Sequence, residues 1–225
     1  MRLKKYYITL IMIILAIVSI PINISAKNTN TKKDKKEEIK GIILIDPGHG
    51  GIDGGAKSSN GTIEKDINLQ ISNRLKEKLE TEGYKVYLTR EDDKELSTRK
   101  VEDLDSRCKM KKEVNCDIFI SIHQNKFTNP RCYGAQVWYA DNEKSTKLGE
   151  LIQVGLKEKV QDGNTRLAKN AKNQYRILRD GYDGASVIVE CGFISNSEEE
   201  ERLKTEEHQN QIVDGITEGI KNYFK

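Results

Sequence analysis

Short segments that are apolar along their whole length alternate with longer, mostly amphipathic segments in this chain. The apolar segments are predicted strands: Gly41–Ile45, Val86–Thr89, Asp117–Ile122, Ala135–Ala140 and Ser186–Glu190, with a short extended piece at Tyr175–Leu178. The intervening segments are predicted helices: Lys65–Glu82, Ser97–Val114, Glu143–Val160 and His208–Phe224. Strands that are apolar throughout need cover on both faces. The alternation therefore predicts an α/β fold, with a mostly parallel twisted sheet of about five to six strands and helices on both faces.

The amino terminus predicts export. Arg2, Lys4 and Lys5 precede the uncharged run Tyr6–Ile20, and small residues follow at Ser25 and Ala26. This is the pattern of a signal peptide over residues 1–26, with an uncleaved membrane anchor as the alternative. Residues 27–40 are charged and polar, which is typical of a flexible linker. We expect one folded domain over residues 41–225, outside the cytoplasm, with the membrane contacted only through the first segment.

Composition excludes some classes of function. The chain has 38 basic and 35 acidic residues, and its net charge of +3 is spread along the sequence, so we predict no nucleic-acid partner. A phosphate-binding loop at Gly48–Gly51 is an alternative, but the G-K-[ST] and G-x-G-x-x-G patterns are missing. The four cysteines have no metal-site spacing, and we predict no disulfide.

Two of the three histidines follow predicted strands. His49 lies in the loop after the first strand, and His123 ends the third. In an open α/β sheet the carboxyl ends of the strands form the ligand crevice, so the two imidazoles are expected to lie near each other. A catalytic zinc takes three protein ligands and keeps one position open, and two histidines with one glutamate are an established set. The remaining histidine, His208, is interpreted as a solvent-facing helix residue.

Glu64 is the candidate third ligand, because it closes the glycine-rich loop that begins at His49. An equally simple interpretation is a first-turn carboxylate that complements the helix dipole. Each histidine also has a structural alternative, as a core or turn residue without a metal.

Glu190 ends the last predicted strand, after five small or apolar residues. A carboxylate in that place needs a partner or a function, because burying it unpaired is costly. It could move protons between water and a leaving amine. The alternative is a structural salt bridge to Arg90 or Arg107.

These residues lie in motifs that resemble the zinc-dependent N-acetylmuramoyl-L-alanine amidases with an α/β catalytic domain. The motifs are ILIDPGHGG from Ile43, EKDINL from Glu64, LTR from Leu88, FISIHQN from Phe119 and VIVECGFISN from Val187. The resemblance implies that one Zn²⁺ is bound by His49, Glu64 and His123, and that Glu190 is the catalytic glutamate. It also implies hydrolysis of the amide between muramic acid and L-alanine in peptidoglycan.

The chain departs from the family pattern at Lys111-Lys112, where members often have Ala-Asn, and in a longer, more charged segment at residues 91–103. A catalytic domain without wall-binding repeats resembles the germination-specific amidases, which strip stem peptides from spore cortex so that muramic lactam can form. The alternatives are a vegetative cell-wall amidase, another zinc amidase or carboxypeptidase acting on a different bond, and a degenerate wall-binding protein of the same fold. No helical insert fits between His123 and Ala135, so any restraint on activity is expected from an external regulatory protein or from metal occupancy.

Overall fold

Four of the six strands of the sheet bring their carboxyl ends to one edge, where the polar loops begin. The computed structural model describes residues 39–225. The strands are β1 (Ile42–Pro47), β2 (Lys85–Leu88), β3 (Ile118–Asn125), β4 (Gln136–Tyr139), β5 (Lys169–Asn170) and β6 (Ala185–Phe193). The helices are α1 (Glu64–Thr81), α2 (Lys100–Val114), α3 (Glu143–Val160), α4 (Ser197–Leu203) and α5 (Glu206–Tyr223). The predicted signal or anchor segment and residues 27–38 of the predicted linker lie outside the described residues.

The six strands lie in the order β2-β1-β3-β6-β4-β5. Neighbours are parallel from β2 through β6, whereas β4 runs antiparallel to β6 and parallel to β5. The prediction of a mostly parallel α/β sheet is confirmed. β4 reverses direction because residues 126–135, which join it to β3, are too few for a helical crossover to the opposite edge. The β4 strand therefore starts at the edge where β3 ends.

Both faces of the sheet are buried, which explains why its central strands are apolar at most positions. Along β1, Ile43 and Ile45 pack in the cluster that contains the apolar residues of α1, α3 and α5. Leu44, between them, packs on the other face with Phe119 and the inner side of α2. Successive side chains of a strand point to opposite faces, so a two-sided core removes the polar alternation of an exposed sheet.

His208 corrects one sequence-based interpretation. It is buried, with 5% of its surface exposed, rather than facing solvent. The physical reason is its spacing: it lies four residues before Ile212, which continues to Ile216 and Ile220 along the buried stripe of α5. The four-residue spacing of buried positions in this helix therefore begins one turn earlier, at His208.

Other differences are local. The extended piece expected at Tyr175–Leu178 is a 3-10 turn at Arg176–Leu178. β5 and α4 were not predicted, because β5 has two residues and α4 is a seven-residue helix made mostly of glutamates. All four cysteines are free thiols, as expected, and Cys191 is buried in the core. In the part of the chain from residue 39 onward, no helix combines the length and apolar character that crossing a membrane requires.

Candidate metal centre

The turn after β1 brings His49 against His123. His49 has a φ of 62°, the left-handed region that non-glycine residues rarely occupy and that is found at functional sites. Gly48 is required by the close approach, since a Cβ there would lie 2.3 Å from Cε1 of His123. The two imidazole rings consequently meet edge to face, with their centroids 5.0 Å apart.

Glu64, the first residue of α1, points its carboxylate at both rings. Its Oε1 lies 2.9 Å from Nδ1 of His123 and 3.3 Å from Nε2 of His49. Backbone amides fix the carboxylate: Ala56 donates to Oε2 at 2.7 Å, and Gln124 donates to Oε1 at 3.1 Å. The helix-dipole interpretation does not account for these contacts, because the side chain is directed at the two histidines.

These three side chains fit a zinc ion. One ligand atom from each of His49, Glu64 and His123 can be chosen so that all lie within 4.8 Å of one another. Two imidazole nitrogens and one carboxylate oxygen are the donor set of catalytic zinc sites. These three residues could hold the ion, and a catalytic zinc with three protein ligands would keep one position for water.

The electrostatics of the cluster favour a bound cation. Burial would raise the pKa of Glu64, but the neighbouring His123 and His49 hold it well below its ordinary value. Burial would lower the pKa of His49, yet Glu64 and Asp53 raise it above its ordinary value. A buried carboxylate that stays ionised and stabilises positive charge beside it is suited to a metal.

Asp53 orients His49. Its Oδ2 accepts a hydrogen bond from Nδ1 of His49 at 3.0 Å and lies 3.1 Å from Nζ of Lys100, while its Oδ1 accepts from the amide of Gly55. Burial acts to raise the pKa of Asp53, but His49 and Lys100 lower it to about 2. A carboxylate on one imidazole nitrogen fixes the tautomer and leaves the other nitrogen free as a ligand. Sequence reasoning missed Asp53; its spacing of four residues from His49 was the available signal.

Glu190 lies beside the cluster on β6. It is the register partner of His123 on β3, so both side chains leave the same side of the sheet. Its Oε2 is buried, and no donor from residues 39–225 reaches that oxygen. Burial raises the pKa of Glu190 to about 7, and Glu64 adds to this while the histidines oppose it. Neighbouring carboxyl groups whose pKa values move in opposite directions are candidates for different roles in proton transfer.

Neither Arg90 nor Arg107 forms the salt bridge that was considered for Glu190. Nε of Arg90 donates to the carbonyl of Pro47 and Nη2 donates to the carbonyl of Gly48, each at 3.0 Å. Nη1 of Arg107 pairs with Asp46 at 2.6 Å, and Nη2 donates to the carbonyl of His49 at 2.9 Å. The two buried guanidinium groups therefore hold the strained turn that presents His49.

The charged segment after β2 forms part of the cleft. Oδ1 of Asp93 accepts from the amide of Gly51 at 2.9 Å, and Oδ2 pairs with Lys65 at 2.7 Å. Oε2 of Glu95 accepts from the amide of Ile52 at 3.2 Å. The cleft beyond these loops has a volume of about 860 Å³ and contains the four predicted site residues on its wall. That size is within the range of small-molecule and peptide sites.

Comparison with known proteins gives a consistent result. Residues 43–222 match the sequence profile of the N-acetylmuramoyl-L-alanine amidases. The germination-specific N-acetylmuramoyl-L-alanine amidase of Bacillus subtilis is 36% identical over 195 residues, covering 81% of this chain and 79% of that protein. The probable cell wall amidase LytH of Staphylococcus saprophyticus is 34% identical over 205 residues, covering 88% of this chain and 64% of that protein.

A solved structure is also similar. The CwlD amidase of Clostridioides difficile, determined in complex with the GerS lipoprotein, matches with a TM-score of 0.77 and 39% identity. The match covers 81% of this chain and 98% of that one. Fold and sequence therefore agree over the same part of the chain.

Proposed function

Because the chain belongs to the N-acetylmuramoyl-L-alanine amidase family, enzymes that hydrolyse the amide between N-acetylmuramic acid and L-alanine in peptidoglycan, we propose that its His–Glu–His cluster holds the catalytic zinc. Residues 41–225 form the catalytic domain in this proposal, and Glu190 is the general acid and base. The donor set, the ionised state of Glu64 and the tautomer imposed on His49 all support it.

Zinc bound there would supply Lewis acidity, which polarises the carbonyl of the scissile amide and makes water more acidic. The protein itself moves the protons. Glu190 accepts a proton from the water that attacks the lactyl carbonyl. It then donates a proton to the nitrogen of L-alanine as the carbon–nitrogen bond breaks, which leaves a free carboxylate and a free amine. A pKa of about 7 suits both roles near neutral pH.

The observation that carries this proposal is the register of two strands. His123 on β3 and Glu190 on β6 are paired directly, so a ligand and the proton carrier extend from neighbouring positions on the same side of the sheet. Neither Arg90 nor Arg107 neutralises Glu190, because both guanidinium groups bind the His49 turn instead.

Glu190→Gln tests the catalytic role, since it keeps the size of the side chain and removes the titrating group. With purified muropeptides, we expect zinc content equal to wild type and a rate of amide cleavage lower by about 10²–10⁴-fold. Glu201→Gln, on the exposed side of α4, is the matched control and should retain full activity. Cleavage by Glu190→Gln at the wild-type rate would overturn the assignment.

His123→Ala tests the metal role. The variant should lose both zinc and activity, whereas full zinc occupancy would remove His123 from the ligand set. Retention of all activity in both this variant and Glu190→Gln would favour catalysis at another place in the cleft.

We also propose that the enzyme is exported and acts on spore cortex, where it strips stem peptides before muramic lactam forms. Support comes from the relative in Bacillus subtilis, which is named for germination. A general cell-wall amidase is the second candidate, because a probable cell wall amidase is 34% identical. Expression in a spore former that lacks its germination-specific amidase distinguishes them: restored muramic lactam in cortex digests supports the spore role, and unchanged cortex contradicts it.

A further inference from the structure

Lys111 is a fully buried lysine that the amidase chemistry does not use. It extends from α2 with none of its surface exposed. Its Nζ donates to the carbonyl of Ile177, lies 3.1 Å from Oδ2 of Asp180 and sits 4.2 Å from the centroid of the Phe119 ring. Ile177 and Asp180 both belong to the loop between β5 and β6, so one ammonium group ties that loop to α2.

A buried charge at this position requires an explanation. Transferring an ammonium group from water into the protein is strongly unfavourable until its partners compensate for the lost hydration. The other side chains around it are apolar or aromatic, such as Phe119, and an uncharged residue would pack against them without that cost. The ammonium group does contact two residues of the same loop, Ile177 and Asp180, which are three positions apart. A contact of that kind fixes the position and register of a backbone segment.

The segment held in this way, residues 174–180, is one wall of the catalytic cleft. Gln174, Tyr175, Arg176 and Arg179 all line it, as does Glu190. A second tie to α2 supports the same segment, since Nε of Arg176 donates to Asp105 at 2.7 Å. Two contacts with α2 therefore support this segment, which also contributes side chains to the cleft.

Two side chains of this wall are suited to a peptide substrate. Tyr175 packs on Trp138, with ring centroids 5.8 Å apart, and burial together with the nearby Glu190 raises its pKa to about 12. Its hydroxyl thus remains a donor at neutral pH. Arg179 is exposed and forms no ion pair with any of residues 39–225, whereas Arg176 is already paired with Asp105. Arg179 is the wall's available cation for a carboxylate.

We propose that Lys111 is a positioning residue for substrate binding: through Ile177 and Asp180 it holds the 174–180 wall so that Arg179 meets a carboxylate of the acidic stem peptide. This inference rests on the proposed function, because it assumes that the stem peptide occupies the cleft.

The test compares Lys111→Met, which keeps most of the unbranched side chain and removes its charge, with Lys112→Met on the exposed side of the same helix. KM and kcat are measured separately on muropeptides with free and with amidated stem carboxylates, alongside zinc content. We expect Lys111→Met to raise KM for the acidic substrate about tenfold, with zinc content unchanged and kcat within about twofold. Lys112→Met should match wild type.

A second pair of variants tests the proposal even if Lys111→Met does not fold. Asp180→Asn removes the other half of the ion pair, and Arg179→Met removes the expected substrate contact. We expect wild type to have a lower KM for the acidic substrate than for the amidated one. Both variants should raise KM for the acidic substrate and remove this difference. Unchanged KM in Asp180→Asn, or equal losses on both substrates, would overturn the proposal even while Glu190→Gln still abolishes cleavage.

Discussion

Oε1 of Glu200 accepts a hydrogen bond from the hydroxyl of Ser58 at 2.6 Å, although 142 residues separate the two in sequence. The same carboxylate accepts from the Thr62 hydroxyl at 2.5 Å and from the Asn60 side chain at 2.8 Å. All three donors lie in the loop between His49 and Glu64. Glu200 on α4 thus holds closed the loop that joins two of the proposed zinc ligands.

Glu200→Ala should weaken zinc binding without removing a ligand. Without Glu200 the loop is less ordered, and metal binding must then order it at a cost in free energy. We therefore expect zinc affinity to fall by about tenfold, as is typical when a residue that supports the metal ligands is removed. Affinity is measured by competition with a chelator of known strength. Glu198→Ala, an exposed glutamate on the same helix, is the control. Equal zinc affinity in the two variants would show that the loop keeps its shape without Glu200.

Asp53→Ala should also reduce zinc affinity, by about 10–100-fold, because Nδ1 of His49 loses the acceptor that fixes its tautomer. The expected signature is activity that returns at high zinc concentration. Glu91→Ala removes one exposed negative charge from the neighbouring loop and should leave zinc affinity unchanged. Failure of excess zinc to restore activity would mean that Asp53 acts on substrate rather than on His49.

Asp46 should make the unfolding free energy of the protein decrease at low pH. Burial acts to raise the pKa of Asp46, but Arg107 and the hydroxyls of Ser121 and Thr89 hold it below its ordinary value. A carboxyl group with a lowered native pKa adds stability that is fully present above its unfolded pKa of about 4 and is lost as the pH falls further. We expect Asp46→Asn to lower the unfolding free energy at pH 7 by roughly 3 kcal/mol, because Arg107 loses a buried partner.

Urea unfolding at pH 7 and at pH 3, with chelator present to exclude metal effects, measures this change. The difference between wild type and Asp46→Asn should shrink at pH 3. A constant difference at both pH values would show that the ionisation of Asp46 contributes nothing.

His208→Ala should destabilise the fold and leave zinc binding and activity intact. The imidazole is buried on the core stripe of α5, so we expect a loss of roughly 1–3 kcal/mol in unfolding free energy. Burial lowers the pKa of His208 below its ordinary value. The native protein therefore favours the neutral ring, and its contribution is present above the unfolded pKa of about 6.5 and fades as the pH falls below it. Thermal unfolding at pH 8 and pH 5 should show the larger effect of the variant at pH 8.

Local sequence signals were sufficient for the core of the fold. The central strands were predictable because burial on both faces favours apolar residues at successive positions, as along Ile43–Ile45. The closeness of His49 and His123 followed from strand ends that share an edge. Glu64 and Glu190 needed the family resemblance in addition, since a carboxylate near a helix start or strand end has ordinary structural explanations.

Long-range side-chain contacts were beyond sequence reasoning. Nothing near Arg107 in the chain indicates that it binds the His49 turn, and nothing near Lys111 indicates a partner at Asp180. The direction of β4 was equally hidden, because an apolar run has the same composition whichever way it points. These features depend on which segments meet after folding, and a single sequence carries only weak information about that.

The position of β6 in the sheet has a consequence for chains that end before this strand. This strand is the last to leave the ribosome, yet it lies between β3 and β4 and carries Glu190. A nascent or truncated chain that ends before residue 185 contains His49, Glu64 and His123 but has neither Glu190 nor a continuous sheet. Given the role proposed for Glu190, such chains would have no amidase activity, and activity would require residues 185–225 to be present.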